Sequence, residues 1–460
     1  MAGDRFDLVV IGGGAGGLTA ARESVRRGAR TLLVQDGPIG GDCTFTGCVP
    51  SKTLLAAAAG GQGWSAAMSR VRGAVATVAA TEDDDALARE GVEVRHGRAR
   101  VVGPGAVEVD RTRIDADHIV VATGATPLVP PIPGLADVGY LTSDTVFDLT
   151  DRPRSLAILG GGPIGCELAQ AFSRLGVPVT LVEAEDRVLT GYERQVSAVV
   201  AAALTSGGVD VRCGATVTRV ERVPGGRRLV LRPGGTIEAA ELLVAVGRRP
   251  AGAGLGLEDI GVEVDDRGAV VTDDTMAASV EGVWAAGDVA GRDQLTHAAG
   301  RMAIVAVANA LSRSRWRRPS RFDETTIALV TFTDPEVAQI GLTEAEAADQ
   351  GGRVAELPFT HLDRAVAAGR TEGYVKLIAG PRKGLGWTGG GRLLGASIVG
   401  PTAGELIHEA ALAMSTGMFT GRLAQTTHAY PSWSMAVQLA AAQFFTESQG
   451  HRARPARPSS

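Results

Sequence analysis

Short, wholly apolar runs alternate with amphipathic stretches along this chain, and the alternation repeats. Residues 5–10 are an apolar run of strand length, 11–17 a glycine-rich turn, 18–27 a helix-period segment and 30–34 a second strand. Together they predict a βαβ unit. The same order returns at 155–159, 160–165, 166–175 and 179–183, so that Gly160 repeats Gly12 after 148 residues. From Phe322 the pattern changes. Strand-like runs at 326–331, 374–378 and 393–399 are joined by helices at 403–416 and 433–445, without a third glycine-rich turn of this kind. The predicted fold class is α/β, with two Rossmann-like dinucleotide-binding domains and a C-terminal α+β domain. Their expected bounds are 1–150 with 280–321, then 151–279, then 322–450. The Arg-, Pro- and Ser-rich tail 451–460 is predicted to be disordered.

Three glycines at Gly-x-Gly-x-x-Gly spacing carry little information in a chain with 62 glycines, where about one chance match is expected. Position supplies what spacing does not. Gly12, Gly14 and Gly17 end an apolar strand and open a helix, as do Gly160, Gly162 and Gly165. Backbone N–H groups at such a helix start meet a pyrophosphate. The residue 23 positions after the first glycine reads the ribose. It is Gln35 in the first unit and Glu183 in the second. A carboxylate there takes both ribose hydroxyls and repels a 2′-phosphate. In Glu183-Ala184-Glu185-Asp186-Arg187 one cation stands among three acids, which favours NADH over NADPH. Thr123 and Gly124 end a strand between the cradles, Gly247 ends a related one, and Asp288 follows a small-residue turn from which it can hydrogen-bond a ligand hydroxyl.

Cys43 and Cys48, within Gly40-Gly41-Asp42-Cys43-Thr44-Phe45-Thr46-Gly47-Cys48-Val49-Pro50-Ser51-Lys52, bring in redox chemistry. Residues five apart in an extended chain stand roughly 16 Å apart, whereas a disulfide needs Cα atoms within about 7 Å. Gly47 can supply the bend, and Pro50 suits the first turn of a helix that would put Cys48 at its positive end. A thiolate is stabilised there. The alternatives are two buried thiols or half of a metal site. A closed zinc site needs four ligands at short spacings, and Cys166 and Cys213 stand far away, so no metal is expected.

Charge and hydropathy narrow the classes further. Forty-six basic residues against 51 acidic give a net charge of −5, no field for nucleic acid or an anionic membrane. The basic run 313–321 reads as a solvated linker. No apolar run reaches about 20 residues, and Met1-Ala2-Gly3-Asp4-Arg5 has no signal-peptide character, which leads to the expectation of a cytoplasmic protein. In a reducing cytosol a close cysteine pair points to catalysis.

Taken in order, the first cradle, the Cys-x4-Cys segment ending Pro50-Ser51-Lys52, the second cradle, Val246-Gly247-Arg248-Arg249-Pro250 and Ala286-Gly287-Asp288 resemble the class I pyridine nucleotide-disulfide oxidoreductases. These flavoproteins include lipoamide dehydrogenase, glutathione reductase and mercuric reductase. The resemblance covers nearly the whole chain. It implies FAD on the first cradle, NAD(P)H on the second with Val217 among its contacts, and a homodimer whose active site is shared between subunits. It also implies that Cys43 attacks the acceptor, that Cys48 faces the flavin, and that Lys52 pairs with Glu167. Asp288 would hold the ribityl region of FAD, and the backbone from Gln294 to His297 would approach the flavin ring. For His297 itself, a plain helix-start residue is the preferred reading.

The chain departs from the family near its C-terminus. Disulfide reductases of this kind carry a His-Pro followed by a glutamate five residues after that histidine. Here Thr427-His428-Ala429-Tyr430-Pro431-Ser432-Trp433-Ser434-Met435 places Tyr430 at the histidine and Met435 at the glutamate. A phenol with a pKa near 10 is a poor base at neutral pH. His428, two residues before Tyr430 on an extended chain, points the same way and is a second candidate. Tyr430 also resembles the mercuric reductase arrangement, but no cysteine follows Cys213. The expected acceptor is a small disulfide. A quinone, a metal ion, dihydrolipoamide oxidation and a non-catalytic scaffold are the alternatives.

Overall fold

A computed structural model describes residues 5–313 and 318–458. Residues 1–4, the centre of the expected linker (314–317) and 459–460 lie outside the described residues. The chain forms two compact units. The first comprises residues up to Pro131, Tyr140–Arg152 and Leu243–Asp323; the second comprises Ile132–Gly139, Pro153–Leu242 and the chain from Glu324 onward.

In the first unit, β1 (Arg5–Ile11), α1 (Ala15–Arg26) and β2 (Thr31–Gln35) make the expected βαβ unit. β1 lies between β2 and β3 (Thr112–Val121), parallel to both. The parallel sheet is completed by Glu93–His96 outside β2 and by Val283–Ala285 outside the second half of β3. The first half of β3 pairs instead with Ala106–Val109 in an antiparallel meander. Parallel strands bury both faces, which is why Leu8–Val10, Leu32–Val34 and Ile119–Val121 are apolar without interruption. α1 packs along the helix Thr296–Ala310, where a Cβ on Gly16 would stand at ordinary contact distance, 3.6 Å, from Ala299 Cβ.

The second unit repeats the plan with a four-stranded sheet in the order Val209–Arg212, Val179–Val182, Leu156–Leu159, Glu241–Val244, its cradle helix being Pro163–Arg174. The same unit holds the α+β part, a six-stranded sheet covered by helices Ala403–Ser415, Thr420–Gln425 and Met435–Ala442. Its core is built on Leu357, Phe359, Leu377, Ile398 and Ile407.

Two sequence expectations need correction. The second domain was expected to run to 279, but the chain rejoins the first unit at Leu243. Arg248–Pro250 pairs antiparallel with Ala125–Pro127, and Val101 N–H donates to Leu255 O. That pairing spans more than a hundred residues and has no local signature. The tail was expected to be disordered from its composition. Instead Arg454–Pro455 adds to the open edge of Arg353–Pro358 as a short strand, and Ala453 is buried. One of its arginines is ion-paired. Arg454 grips Glu344 with two nitrogens, the Nη2–Oε2 contact being 3.0 Å. Glu344 also borders Lys376, a lysine with only 5% of its side chain exposed that sits 2.6 Å from Glu193, 3.4 Å from Glu344 and 3.8 Å from Glu356.

Two cations thus offset three carboxylates. Burial alone would raise the Glu344 carboxyl, but Arg454 and Lys376 outweigh it and hold it below the ordinary carboxylate value. Arg454→Ala is expected to cost about 1–3 kcal/mol at pH 7, because it leaves a buried charge short of a partner. Glu344 is depressed in the folded state, so its contribution is present above its unfolded pKa of about 4.3 and lost as pH falls through the folded value. The gap between wild type and Arg454→Ala in urea denaturation should therefore narrow below about pH 4.

Candidate active site

The two cysteines are brought together by two helices that almost touch end to end. Cys43 lies on α2 (Gly41–Phe45), and Cys48 is the first residue of α3 (Cys48–Ala59), with Gly47 as its N-cap. Gly47 is required for closeness rather than for an unusual φ. A Cβ there would stand 2.8 Å from Asp42 O and 3.4 Å from Cys43 Cα. The sulfurs stand 3.7 Å apart as free thiols, Cys43 half-buried and Cys48 exposed. Closing them to a disulfide of about 2.05 Å brings the sulfurs less than about 2 Å closer. The hydrogen bond to Cys48 and then burial push the Cys43 thiol up. Cys48, at the start of a twelve-residue helix, is placed to carry the negative charge.

A third group lies between them. Thr296 Oγ1, on the first residue of the helix Thr296–Ala310, is 2.7 Å from Cys43 Sγ and 3.3 Å from Cys48 Sγ. Sequence reasoning drew only on the backbone there. His297 is exposed one residue further along.

Beside the dithiol, Arg248 has 14% of its side chain exposed and gathers acceptors from four segments. It bonds Asp42 and Ala125 O (2.6 Å), donates to Ser143 Oγ (3.2 Å), and lies 3.6 Å from Asp144 and 3.8 Å from Asp288. Burial pushes the Asp42 and Asp288 carboxyls up, and Arg248 opposes this. Asp288 also feels Cys48. Arg248 was part of a motif in the sequence but was not recognised as a site residue.

The cradles follow one design. A Cβ on Gly12 or on Gly17 would run into carbonyl oxygens, those of Ala122 and Gly12 respectively, and one on Gly165 would meet Gly160 O. Gly12 and Gly160 also take φ of +106° and +111°. Gly14 and Gly162 are N-caps with no side-chain capping bond, and nothing stands within 4 Å of a Cβ on Gly162. The first-turn N–H groups are therefore left for a ligand, as a phosphate site needs. Gln294 Nε2 is a buried donor with no acceptor among the described residues. These features fit a dinucleotide.

The ribose-register residues also serve the cradles. Gln35 Oε1 accepts from Gly13 N–H (2.6 Å), while Glu183 accepts from Gly161 N–H (2.6 Å) and Glu185 N–H (2.9 Å). Arg187 bonds Asp186 (3.3 Å) and Thr190 O (3.0 Å) through its Nη atoms, while its Nε has no partner among the described residues. Thr123 Oγ1 donates to Ala251 O at 2.7 Å. Gly124 and Gly247 take φ of +73° and +128° with open space around them. The Val217 side chain is buried.

The remaining expected residues are distributed over both units. Lys52 lies one turn beyond Cys48 on α3, in the first unit. Glu167 is buried in the second, accepting from Phe332 N–H at 2.9 Å. Tyr430 is 70% exposed and donates to Asp363 (3.0 Å), which holds its phenol above the ordinary value. His428 does not lie open as a base. Its side chain is 6% exposed, with Nε2 3.0 Å from Glu409 and Nδ1 2.9 Å from Thr426 O, so both ring nitrogens face acceptors. Met435 packs against the α+β core. Among the described residues no helix is long and apolar enough to cross a membrane.

Comparison with known proteins agrees with this geometry. Residues 6–303 match the pyridine nucleotide-disulphide oxidoreductase family and 327–441 the dimerisation domain of the same family. The chain is 35% identical to a mercuric reductase of Streptomyces lividans, over 96% of this chain and 97% of that one. It is 34% identical to a dihydrolipoyl dehydrogenase of Thermus scotoductus, over 95% and 96%. Among solved structures, the Cu(II) complex of the HOCl-induced flavoprotein disulfide reductase RclA from Escherichia coli superposes with a TM-score of 0.86 at 28% identity, covering 95% of this chain and 99% of that one. LpdA from Mycobacterium tuberculosis gives 0.86 and 28%, covering 96% and 100%.

Arg248→Met leaves Asp42, Asp144 and Asp288 without their shared cation and is expected to cost about 1–3 kcal/mol, since Asp42 and Asp144 are partly screened by solvent. Loss of the cation raises the folded pKa of Asp42 and Asp288 further. A carboxyl raised in the folded state destabilises as pH rises through that value. The variant should therefore melt closer to wild type at pH 5 than at pH 8, as measured by thermal denaturation across that range.

Proposed function

The chain belongs to the pyridine nucleotide-disulphide oxidoreductase family, and from that premise we propose that it is an FAD-dependent NADH oxidoreductase whose Cys43–Cys48 dithiol reduces a small disulfide. The observation that carries this reading is the thiol pair 3.7 Å apart at a helix start. FAD, when bound, supplies the two-electron link between nicotinamide and the sulfurs. Gly12, Gly14 and Gly17 would hold its pyrophosphate, and Asp288 and Gln294 would serve its polar groups. Glu183 with Gly160, Gly162 and Gly165 would hold NADH, and Arg187, already engaged by Asp186 and Thr190 O, leaves a 2′-phosphate poorly served. Lys52 and Glu167 belong to this reading as catalytic candidates.

The dithiol can carry out the exchange without the family's histidine and glutamate. Cys43 passes its proton to Cys48, and its thiolate attacks the acceptor disulfide, forming a mixed disulfide and expelling one acceptor thiolate. Cys48 then gives up that proton to the departing thiolate and attacks Cys43 Sγ. The second acceptor thiolate leaves and takes a proton from water. The Cys43–Cys48 disulfide that forms has given two electrons to the acceptor, and reduced nicotinamide restores them. The exposed face of Cys48 suits the flavin side, and exposed Tyr430 suits contact with a second copy whose active site it would complete. Such a thiol pair belongs in a reducing cytoplasm.

A second reading is favoured by the same distance. A tetrahedral metal with metal–sulfur bonds of about 2.3 Å spans sulfurs about 3.8 Å apart, close to the 3.7 Å found. The mercuric reductase relatives and the Cu(II) complex of RclA make a thiophilic metal ion the alternative acceptor.

Cys43→Ser is expected to lower small-disulfide turnover by about 10³-fold or more, with quinone reduction from the flavin persisting. Steady-state oxidation of NADH and NADPH against disulfides, quinones, Hg²⁺ and Cu²⁺ reads acceptor and nicotinamide together. Retained disulfide turnover in the variant would overturn the reading. His428→Ala should keep turnover within about twofold at neutral pH while losing about 1–2 kcal/mol of stability, since it removes two hydrogen bonds.

A further inference from the structure

We propose that Thr296 is a positioning residue that sets the redox equilibrium of the dithiol by bonding to both sulfurs in the reduced state alone. The proposal rests on Cys43 and Cys48 being a reversible redox pair. One hydroxyl has one proton and two lone pairs. At 2.7 Å from Cys43 Sγ and 3.3 Å from Cys48 Sγ, it can accept from the Cys43 thiol and donate to the Cys48 thiolate at once. A thiolate is a strong, charge-assisted acceptor. A disulfide sulfur carries neither a proton nor a charge, so oxidation removes the donor on one side and the good acceptor on the other.

The hydroxyl therefore stabilises the dithiol over the disulfide and raises the reduction potential of the pair. Thr is suited to the task. Its place in the first turn of a fifteen-residue helix fixes the backbone, and β-branching restricts χ1, so little freedom is lost when the hydroxyl is held between the sulfurs. The same hydroxyl is a path by which the Cys43 proton reaches Cys48 when Cys43 becomes the nucleophile.

Thr296→Val puts a methyl group where the hydroxyl sits; Thr296→Ser restores the oxygen. FAD-loaded protein is equilibrated anaerobically at pH 7 in glutathione buffers, where protein disulfide and two glutathione thiols exchange for protein dithiol and glutathione disulfide. The mixture is acid-quenched, and the dithiol fraction is read by maleimide gel shift. The equilibrium constant for reduction should fall about tenfold in Thr296→Val, which for this two-electron couple is about 30 mV. Thr296→Ser should stay within about twofold of wild type. An unchanged constant in the valine variant, or a serine variant that falls as far, overturns the proposal. If the valine variant does not fold, Thr296→Ala carries the same expectation. A wild-type pair that never forms a reversible disulfide overturns the redox reading as well, which separates that failure from this one.

Discussion

The close approach of Cys43 and Cys48 is the constraint on which the rest of the site depends. A dithiol is useful only if both oxidation states fit the same backbone. Here α2 and α3 meet so tightly that Gly47 has no space for a side chain, and the sulfurs need to move less than 2 Å relative to each other to bond. The helix start then breaks the symmetry between two chemically identical thiols, favouring charge on Cys48. Thr296 and the Asp42–Arg248–Asp288 group surround that asymmetric pair, and both are brought there by segments remote in sequence.

Charge explains why Arg248 is needed. A Cys48 thiolate close to Asp42 and Asp288 would add a third negative charge to a partly buried space. A guanidinium presents several donors in a fixed plane, so one residue can serve Asp42, a carbonyl and a hydroxyl while staying near two further carboxylates. Lysine, a point charge on a flexible stem, would not span them. The same economy recurs in the second unit, where Lys376 and Arg454 divide three carboxylates between them.

What the sequence disclosed was local. The two cradles, the register of Gln35 and Glu183, and Cys48 at a helix start are each fixed within some thirty residues by strand, turn and helix patterns, and they stand where those patterns put them. What it concealed was brought together over long distances. Thr296 lies 253 residues from Cys43, and Arg248 lies 206 from Asp42. The return of residues 243–279 to the first unit rests on backbone pairing that any extended segment can make. The tail failed for a related reason. Its composition is that of a solvated segment, but the bonds that order Arg454 are to Glu344, 110 residues away.

The replacement of the family's histidine and glutamate by Tyr430 and Met435 bears on which direction of chemistry the site supports. Oxidising a dithiol substrate requires removing a proton from an incoming thiol, and Tyr430, held protonated by Asp363, does not take one at neutral pH. His428 is engaged on both nitrogens. Reducing a disulfide makes no such demand at the attack step, because the nucleophile comes from the enzyme and its proton already has a destination in Cys48. A soft metal ion demands still less, since two sulfurs at chelating distance bind it without any external base. On the proposed function, the group that would take a proton from an incoming thiol is the one that would return it to a departing thiolate, so its loss bears on both directions of disulfide exchange, and a soft metal ion is the acceptor least affected.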